Sequence, residues 1–460
     1  MATVPYFVLS PNTILSALGL VHGPDRRIPT PRGNWRQAVV DVIIPAHNEE
    51  HNIALSLTSI QSQTFRPRKI ILVDDASQDR TVEIATKFCE VTGMEITVIR
   101  RKASIGKTPT LKRQSREFDS DVQFVLDADT VLESPNYIAR AVEELYKGVG
   151  IASVCGTLLP LRHRDRLSMA RLGRLRKFLD RVPNTPITVE YGWLTRIQKL
   201  ATNLYRDVLY LFLQKFVYRG QMVFFGTISN PVGCAVAYRR KYVKELFDKY
   251  EPLFGDNLTN SEDIFIGFAL AHAGYRNIQL TDVVARSEEP KFSELPRQIY
   301  MWTSSFLQSC FYFDPLVRSP LRAFKRYRYE RKVKKNKEIQ EKRKIIEQYR
   351  TPFGEERTHE YGRAMGWLLL TSAMEKVFFP VILFLMIALR LWKPLMWTFV
   401  FESAVAITIL TIVAKGRRME YLLKGVVVTP IRYTSLLYDL VTLTRFSADL
   451  WIFRNRKWRK

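Results

Sequence analysis

The chain has 460 residues, 47% of them hydrophobic, and a formal net charge of +25. That length exceeds a single compact domain, that apolar fraction excludes global disorder, and that charge calls for an anionic partner: nucleic acid, an acidic substrate or a membrane surface. Cys89, Cys155, Cys234 and Cys310 lie far apart with no CxxC pair. This excludes a disulfide scaffold and a zinc-finger array, and suits a reducing compartment.

Residues 6–21 form an apolar stretch containing Pro11, with no basic leader and no clear cleavage site. It reads as part of an interfacial segment, 1–38, rather than a signal peptide. Residues 39–44 are a short apolar run ended by Pro45, a strand signal, and 49–61 follow with Ile53, Leu57 and Ile60 at helical spacing. Strands are likewise predicted over 70–73, 96–99 and 123–126, and helices over 81–91, with Asp79 as N-cap, and 107–117. Strand and helix alternate at short spacing, which predicts a parallel sheet covered on both faces. Ligands in such sheets bind beyond the carboxyl ends of the strands. Three polar clusters follow strands directly: His47-Asn48-Glu49, Asp74-Asp75 and Asp127-Ala128-Asp129.

Alternation of side chains sends Asp127 and Asp129 in different directions, so one can reach a divalent ion and the other a ribose or a water ligand. Hard carboxylate oxygens suit Mg²⁺ or Mn²⁺, which usually also bind substrate phosphates. Asp75 stands where a base or ribose could be read, and equally where it could cap the turn after it. Lys107 follows Gly106 in a basic patch and could meet a diphosphate, although the spaced glycines of a P-loop are missing. Ser261-Glu262-Asp263 opens an apolar helix; a carboxylate there suits a general base, and equally a helix cap.

The charge is concentrated. Residues 318–350 carry fourteen Lys/Arg against four Glu, residues 161–181 eight against two Asp, and 454–460 are strongly basic. Residues 394–414 and 367–391 are each long and apolar enough for a transmembrane helix. Residues 421–453, interrupted by Pro430 and Arg432, fit a spanning helix, a re-entrant hairpin or interfacial helices. Lys415, Arg417 and Arg418 after the best span, with basic segments on both sides, predict two or four crossings and a cytosolic main domain. The basic stretches 318–350 and 161–181 are then expected on anionic headgroups. Nucleic-acid binding is set aside: no RRM, zinc-finger or helix-turn-helix pattern is present.

Taken together, the motifs resemble the membrane-bound family 2 glycosyltransferases that make β-linked polysaccharides: the hyaluronan, chitin, cellulose and poly-N-acetylglucosamine synthases. The resemblance runs from residue 39 to Trp302. It rests on the run 42–50 ending His47-Asn48-Glu49-Glu50, on Asp74-Asp75, Gly106-Lys107, Asp127-Ala128-Asp129, Gly233-Cys234, Ser261-Glu262-Asp263, and on Gln298 and Trp302. It implies an α/β GT-A domain over 39–310, a basic amphipathic region over 311–360 and transmembrane or interfacial helices over 361–460. Pro45, Ala46, His47, Asn48, Glu49, Asp75, Lys107 and Asp127 would bind a UDP-sugar, and Asp127 and Asp129 a Mg²⁺ or Mn²⁺ ion. Asp263 would be the base, beside Glu262. Gly233, Cys234, Gln298 and Trp302 would meet the acceptor. The implied activity is inverting transfer onto a growing polysaccharide at the cytosolic face of the cell membrane; the alternative is addition of one sugar to a lipid or lipid-linked acceptor. The family's Gln-x-x-Arg-Trp motif reads Gln298-Ile299-Tyr300-Met301-Trp302 here, with Met301 in place of the cation.

Overall fold

The computed structural model describes residues 11–22, 31, 33–148, 150–171, 173–188, 191–254, 259, 261–335 and 354–453. Its centre is an eight-stranded sheet. The strands are β1 (Val40–Ala46), β2 (Lys69–Asp74), β3 (Thr97–Arg100), β4 (Val122–Leu126), β5 (Thr130–Leu132), β6 (Ile151–Pro160), β7 (Ala235–Arg239) and β8 (Arg276–Ser287). Their order is β3-β2-β1-β4-β7-β6-β8-β5. Residues of β1, β2 and β4 are buried almost without a break, as expected for strands covered on both faces.

The four predicted strands and three predicted helices are present, with ends shifted by a few residues. The fully parallel sheet is corrected. β1, β2, β3 and β4 run parallel, but β7 is antiparallel to both β4 and β6, and β5 is antiparallel to β8. β7 enters the sheet between β4 and β6, and so closes the parallel half. The N-cap is Arg80 rather than Asp79, which stands one residue earlier; Asp79 accepts the Thr81 N–H at 2.9 Å and also the Glu50 N–H at 3.0 Å. It thereby ties the loop after β1 to the loop after β2.

Two cores flank the sheet. One sits under the helices Ile53–Gln61, Thr81–Thr92 and Tyr137–Leu145. The other lies under Arg240–Phe254, Glu262–Ala273 and Leu295–Tyr312, and runs on past residue 310 through Phe313 and Leu316. Full burial of each such side chain contributes about 1.5–3 kcal/mol. The basic segment 161–181 differs from expectation. Its helix Gly173–Arg181 turns Leu175 and Phe178 into the first core, where Phe178 meets Phe88 edge-on at 5.3 Å. An apolar face used against the sheet domain is no longer available to lipid. Of the stretch 318–350, the described part ends in the helix Ala323–Lys335; residues 336–350 and the tail 454–460 lie outside the described residues.

After the helix Gly354–Tyr361 come three long helices, Gly366–Ala388, Trp392–Val413 and Arg418–Ser447. By length and composition the first two can cross a membrane. The third is one unbroken helix through Pro430, which removes the hairpin alternative. Buried charges in this bundle are paired: Lys376 with Asp439 at 3.6 Å, and Glu402 with Arg432. The helix Pro11–His22 packs mainly on the segment 213–225 and touches the helix Gly366–Ala388, with its polar face inward. Asn12, Thr13 and Ser16 face the protein, Asn12 donating to Ser372 at 2.8 Å, while Ile14, Leu18 and Val21 are exposed.

Candidate active site

β1, β2 and β4 end at the same edge because they are parallel and in register, which brings their polar clusters together. Beyond them lies a cavity of ≈ 270 Å³. Of the predicted site residues, Lys107, Asp127, Asp129, Gly233, Cys234, Glu262, Asp263, Gln298 and Trp302 line it. Met301 lines it too.

Lys107 is the hub. It begins the helix Lys107–Glu117, and its Nζ lies 2.6 Å from Asp127 Oδ1 and 2.7 Å from Glu262 Oε1. It also donates to the Gly233 carbonyl at 3.1 Å. Burial works against its charge, but the two carboxylates more than compensate and hold it protonated. One ammonium thus joins the strand-end acids to the acids that open the helix Glu262–Ala273.

Asp263 Oδ1 accepts from the Ser261 hydroxyl at 2.5 Å and from the Ile264 N–H at 2.8 Å. Oδ2 accepts no hydrogen bond among the described residues. Burial, then the neighbouring Glu262, raises the affinity of Asp263 for a proton. Gly233 is required here: a Cβ on it would lie 2.7 Å from Asp263 Cβ and 3.0 Å from Oδ2. Any larger residue would displace the carboxylate. The Cys234 carbonyl accepts the Asp127 N–H at 2.8 Å, so the segment 233–234 braces both acids.

Asp127 and Asp129 diverge as predicted. Asp127 meets Lys107, whereas Asp129 accepts from Thr130 Oγ1 at 3.0 Å and Ser287 Oγ at 3.3 Å. Burial, followed by Asp129 and Glu262, lifts Asp127 to about 7 against the pull of Lys107. Glu49 is lifted to about 8 by burial and then by Asp129, with smaller contributions from Glu288 and Asp127. This cluster holds more carboxyl groups than its own cations can neutralise, so burial favours their protonated forms; a divalent cation would favour the ionised ones, whose hard oxygen donors fit it. Among the described residues no three metal-ligating side chains converge on one point. An ion held at Asp129 and Asp127 would draw its other ligands from a diphosphate and water.

The remaining donor-side residues are fixed to one another. Asn48 has a positive φ of 58°, which Asn tolerates well, and its side chain accepts the Gln78 N–H at 2.8 Å. His47 Nδ1 lies 2.8 Å from the Asp75 carbonyl, and Pro45 and Ala46 pair with Val73 and Asp74. Asp75 accepts from the Ile105 and Gly106 N–H groups, the Ser104 hydroxyl and Arg101. Burial opposes its charge, but these bonds outweigh burial and hold it at about 2. Both Asp75 oxygens are engaged with the segment 101–106, so any contact with a base requires that segment to yield a donor.

Three contributors were not foreseen. Arg206, fully buried on the helix Trp193–Phe212, stands 4.6 Å from the Trp302 ring centroid. It hydrogen-bonds Gln298 and pairs with Glu289 at 3.0 Å. A cation therefore does stand behind Gln298 and Trp302, delivered from another helix while Met301 holds the motif position. Glu288 and Glu289 follow β8 directly. They repeat the polar-cluster-after-strand signal, which becomes legible only once β8 is placed. Arg166 and Lys199 hold Glu288 at 2.7 and 2.8 Å; against the opposing effect of burial they lower it to about 2.

The mixed sheet with an acid-lined edge defines a GT-A domain. The mannosyltransferase PcManGT of Pyrobaculum calidifontis, solved with GDP-Man and Mn²⁺, aligns over 96% of this chain and 94% of its own, with TM-score 0.50 and 16% identity. Residues 41–247 match the family described as Glycosyl transferase family 2. Among curated proteins, the undecaprenyl-phosphate 4-deoxy-4-formamido-L-arabinose transferase of Pectobacterium carotovorum is 30% identical over 160 residues, 34% of this chain and 47% of that protein. The O-antigen chain rhamnosyltransferase RfbN of Salmonella typhimurium is 25% identical over 247 residues, 54% of this chain and 65% of that one. The chain thus spans roughly half to two-thirds of these relatives.

Proposed function

We propose that the protein is an inverting glycosyltransferase that takes a sugar from a nucleoside diphosphate sugar, a UDP-sugar in the first instance, at the cytosolic face of a membrane. The observation that supports this is the Lys107 bridge, which joins Asp127 to Glu262 in a single cavity that Asp129 and Asp263 also line. A bound Mg²⁺ or Mn²⁺ at Asp129 and Asp127 would offset charge developing on the leaving diphosphate. Asp263 Oδ2 takes the proton of an attacking hydroxyl while its Oδ1 stays fixed by Ser261 and Ile264. The hydroxyl oxygen bonds to the anomeric carbon, and the bond to the diphosphate breaks with its electron pair on the nucleotide. Trp302, backed by Arg206, offers an apolar face to the acceptor, and Gln298 a polar edge.

Polysaccharide extension and transfer to a lipid-linked acceptor both use this chemistry. The lipid-linked reading is favoured by the name of the undecaprenyl-phosphate transferase relative and by the two helices able to cross a membrane. The test is a panel of UDP- and GDP-sugars with membranes containing the protein, read by donor consumption, product size and product anomer. Single additions with inverted configuration that stop in EDTA are expected. Long polymer would restore the synthase reading, and turnover indifferent to EDTA would remove the metal.

A further inference from the structure

A second, larger cleft of ≈ 950 Å³ adjoins the active site, sharing Glu288 and Glu289 with it. Its walls come from the helices His163–Ala170 and Trp193–Phe212 and from the start of Arg418–Ser447. Its cations outnumber its acids. Asp207 is shared by Arg162 and by Lys424, the latter at 2.7 Å, and Glu288 is shared by Arg166 and Lys199. Arg164 and Arg196 are exposed on the same walls. Arg164 has only Asp165 at 3.7 Å, and Arg196 has no acidic partner among the described residues.

The apolar part of the same wall is equally ordered. On one face of Trp193–Phe212, Leu200 and Leu204 line the cleft and Trp193 and Ile197 continue the same helical spacing outside it, with Arg196, Lys199 and Asn203 on the adjacent face. Trp193 is 74% and Leu200 60% exposed, which a water-soluble surface would not favour in a row. The neighbouring helix Arg418–Ser447 adds exposed Met419, Leu423 and Val427. A cationic cleft floored by acids already paired, and rimmed by an apolar stripe leading to the membrane helices, is complementary to a ligand with an anionic head and a hydrocarbon tail.

We infer that this cleft binds the phosphate-bearing headgroup of a lipid acceptor, with its hydrocarbon along Trp193, Ile197 and Leu200. The word acceptor rests on the proposed glycosyl transfer; the binding does not. Arg164 and Arg196 supply the phosphate contacts, because the other cations are already held by Asp207 and Glu288.

The experiment reconstitutes the full chain in neutral phosphatidylcholine nanodiscs and titrates a fluorescent polyprenyl monophosphate. The double substitution Arg164→Ala with Arg196→Ala should weaken binding about tenfold or more, the loss expected for two charge-assisted bonds. Arg164→Lys with Arg196→Lys should recover most of it, and Arg328→Ala, on a basic helix elsewhere, should change nothing. Equal affinity in all four proteins would overturn the assignment. Displacement by inorganic phosphate at the same concentration would overturn the lipid source, and displacement by phosphatidylglycerol would reduce the site to bulk anionic lipid and overturn its selectivity. UDP and Mn²⁺ binding, measured in the same samples, should be unaltered by these variants. Its absence from the unmodified protein would sink the glycosyltransferase reading while leaving the cleft measurement intact.

Discussion

Two groups of buried charge in the chain are treated in opposite ways. Among the C-terminal helices, Lys376 faces Asp439 and Glu402 faces Arg432, acid and base in equal number. At the strand ends, Asp127, Asp129, Glu262 and Asp263 line one cavity with a single ammonium, Lys107, and Glu49 is buried near Asp129. Burial penalises an unpaired charge heavily, so the matched pairs explain themselves as fold-holding contacts. The unmatched cluster costs stability, a cost that the metal and diphosphate of the proposed reaction would offset. The difference marks which buried charges belong to the fold and which to the chemistry.

The comparison can be broken by substitution, and the largest effect is expected at Asp263. Asp263→Asn should lower turnover by about 10²–10⁴-fold, the usual contribution of a general base, with nucleotide affinity unchanged in a binding titration. If turnover persists, the cluster holds no base. Lys107→Met should follow, with a loss of about 10²-fold in kcat/KM for the donor, since it leaves Asp127 and Glu262 facing each other across a low-dielectric gap. In the helices, Glu402→Leu or Arg432→Leu alone should destabilise the folded protein by about 3–5 kcal/mol, and the double replacement should recover most of it. Activity per folded molecule should stay constant, which unfolding followed in detergent alongside turnover would check. A deficit in turnover at constant stability would give this pair a catalytic role.

A smaller effect concerns pH. Glu49 rises from 4.5 to about 8, and Asp127 from 3.8 to about 7, so folding favours their protonated forms. Their contribution to stability is present below the unfolded values and is lost as pH climbs through about 7 and 8. The ligand-free protein should melt progressively lower between pH 5 and pH 8, on the order of a few degrees. Mn²⁺ should restore more at pH 8 than at pH 6. A melting temperature insensitive to both would mean that the cluster is already neutralised. The smallest effect is expected from Arg206→Lys: a rise in acceptor KM of about tenfold or less, with kcat nearly kept, because the guanidinium orients Gln298 and Trp302 without meeting the reacting atoms.

The strands and helices of the donor half were legible because each is local. Apolar runs, breakers and polar clusters sit within ten residues of one another, and the parallel register that gathers them follows from their alternation with helices. The same locality set the two apolar spans and the acid pairs Asp127-x-Asp129 and Glu262-Asp263. What stayed hidden depends on contacts distant in sequence. Arg206 reaches Gln298 across 92 residues. β7 enters the sheet antiparallel beside β4, and the basic segment 161–181 lines the cleft with its first part and enters the core with its second helix.

By itself, then, the sequence determined the alternating half of the sheet, the order of its acidic strand ends and the two helices suited to a bilayer. Tertiary structure alone decided that Lys107 joins the two groups of acids, that Arg206 stands behind Trp302 where the motif carries Met301, and that Glu288 and Glu289 separate two cavities. The physical reason is the range of the forces. Propensity and periodicity act over a turn or a strand, whereas the balance of buried charge is settled only when helices far apart in the chain pack around one site.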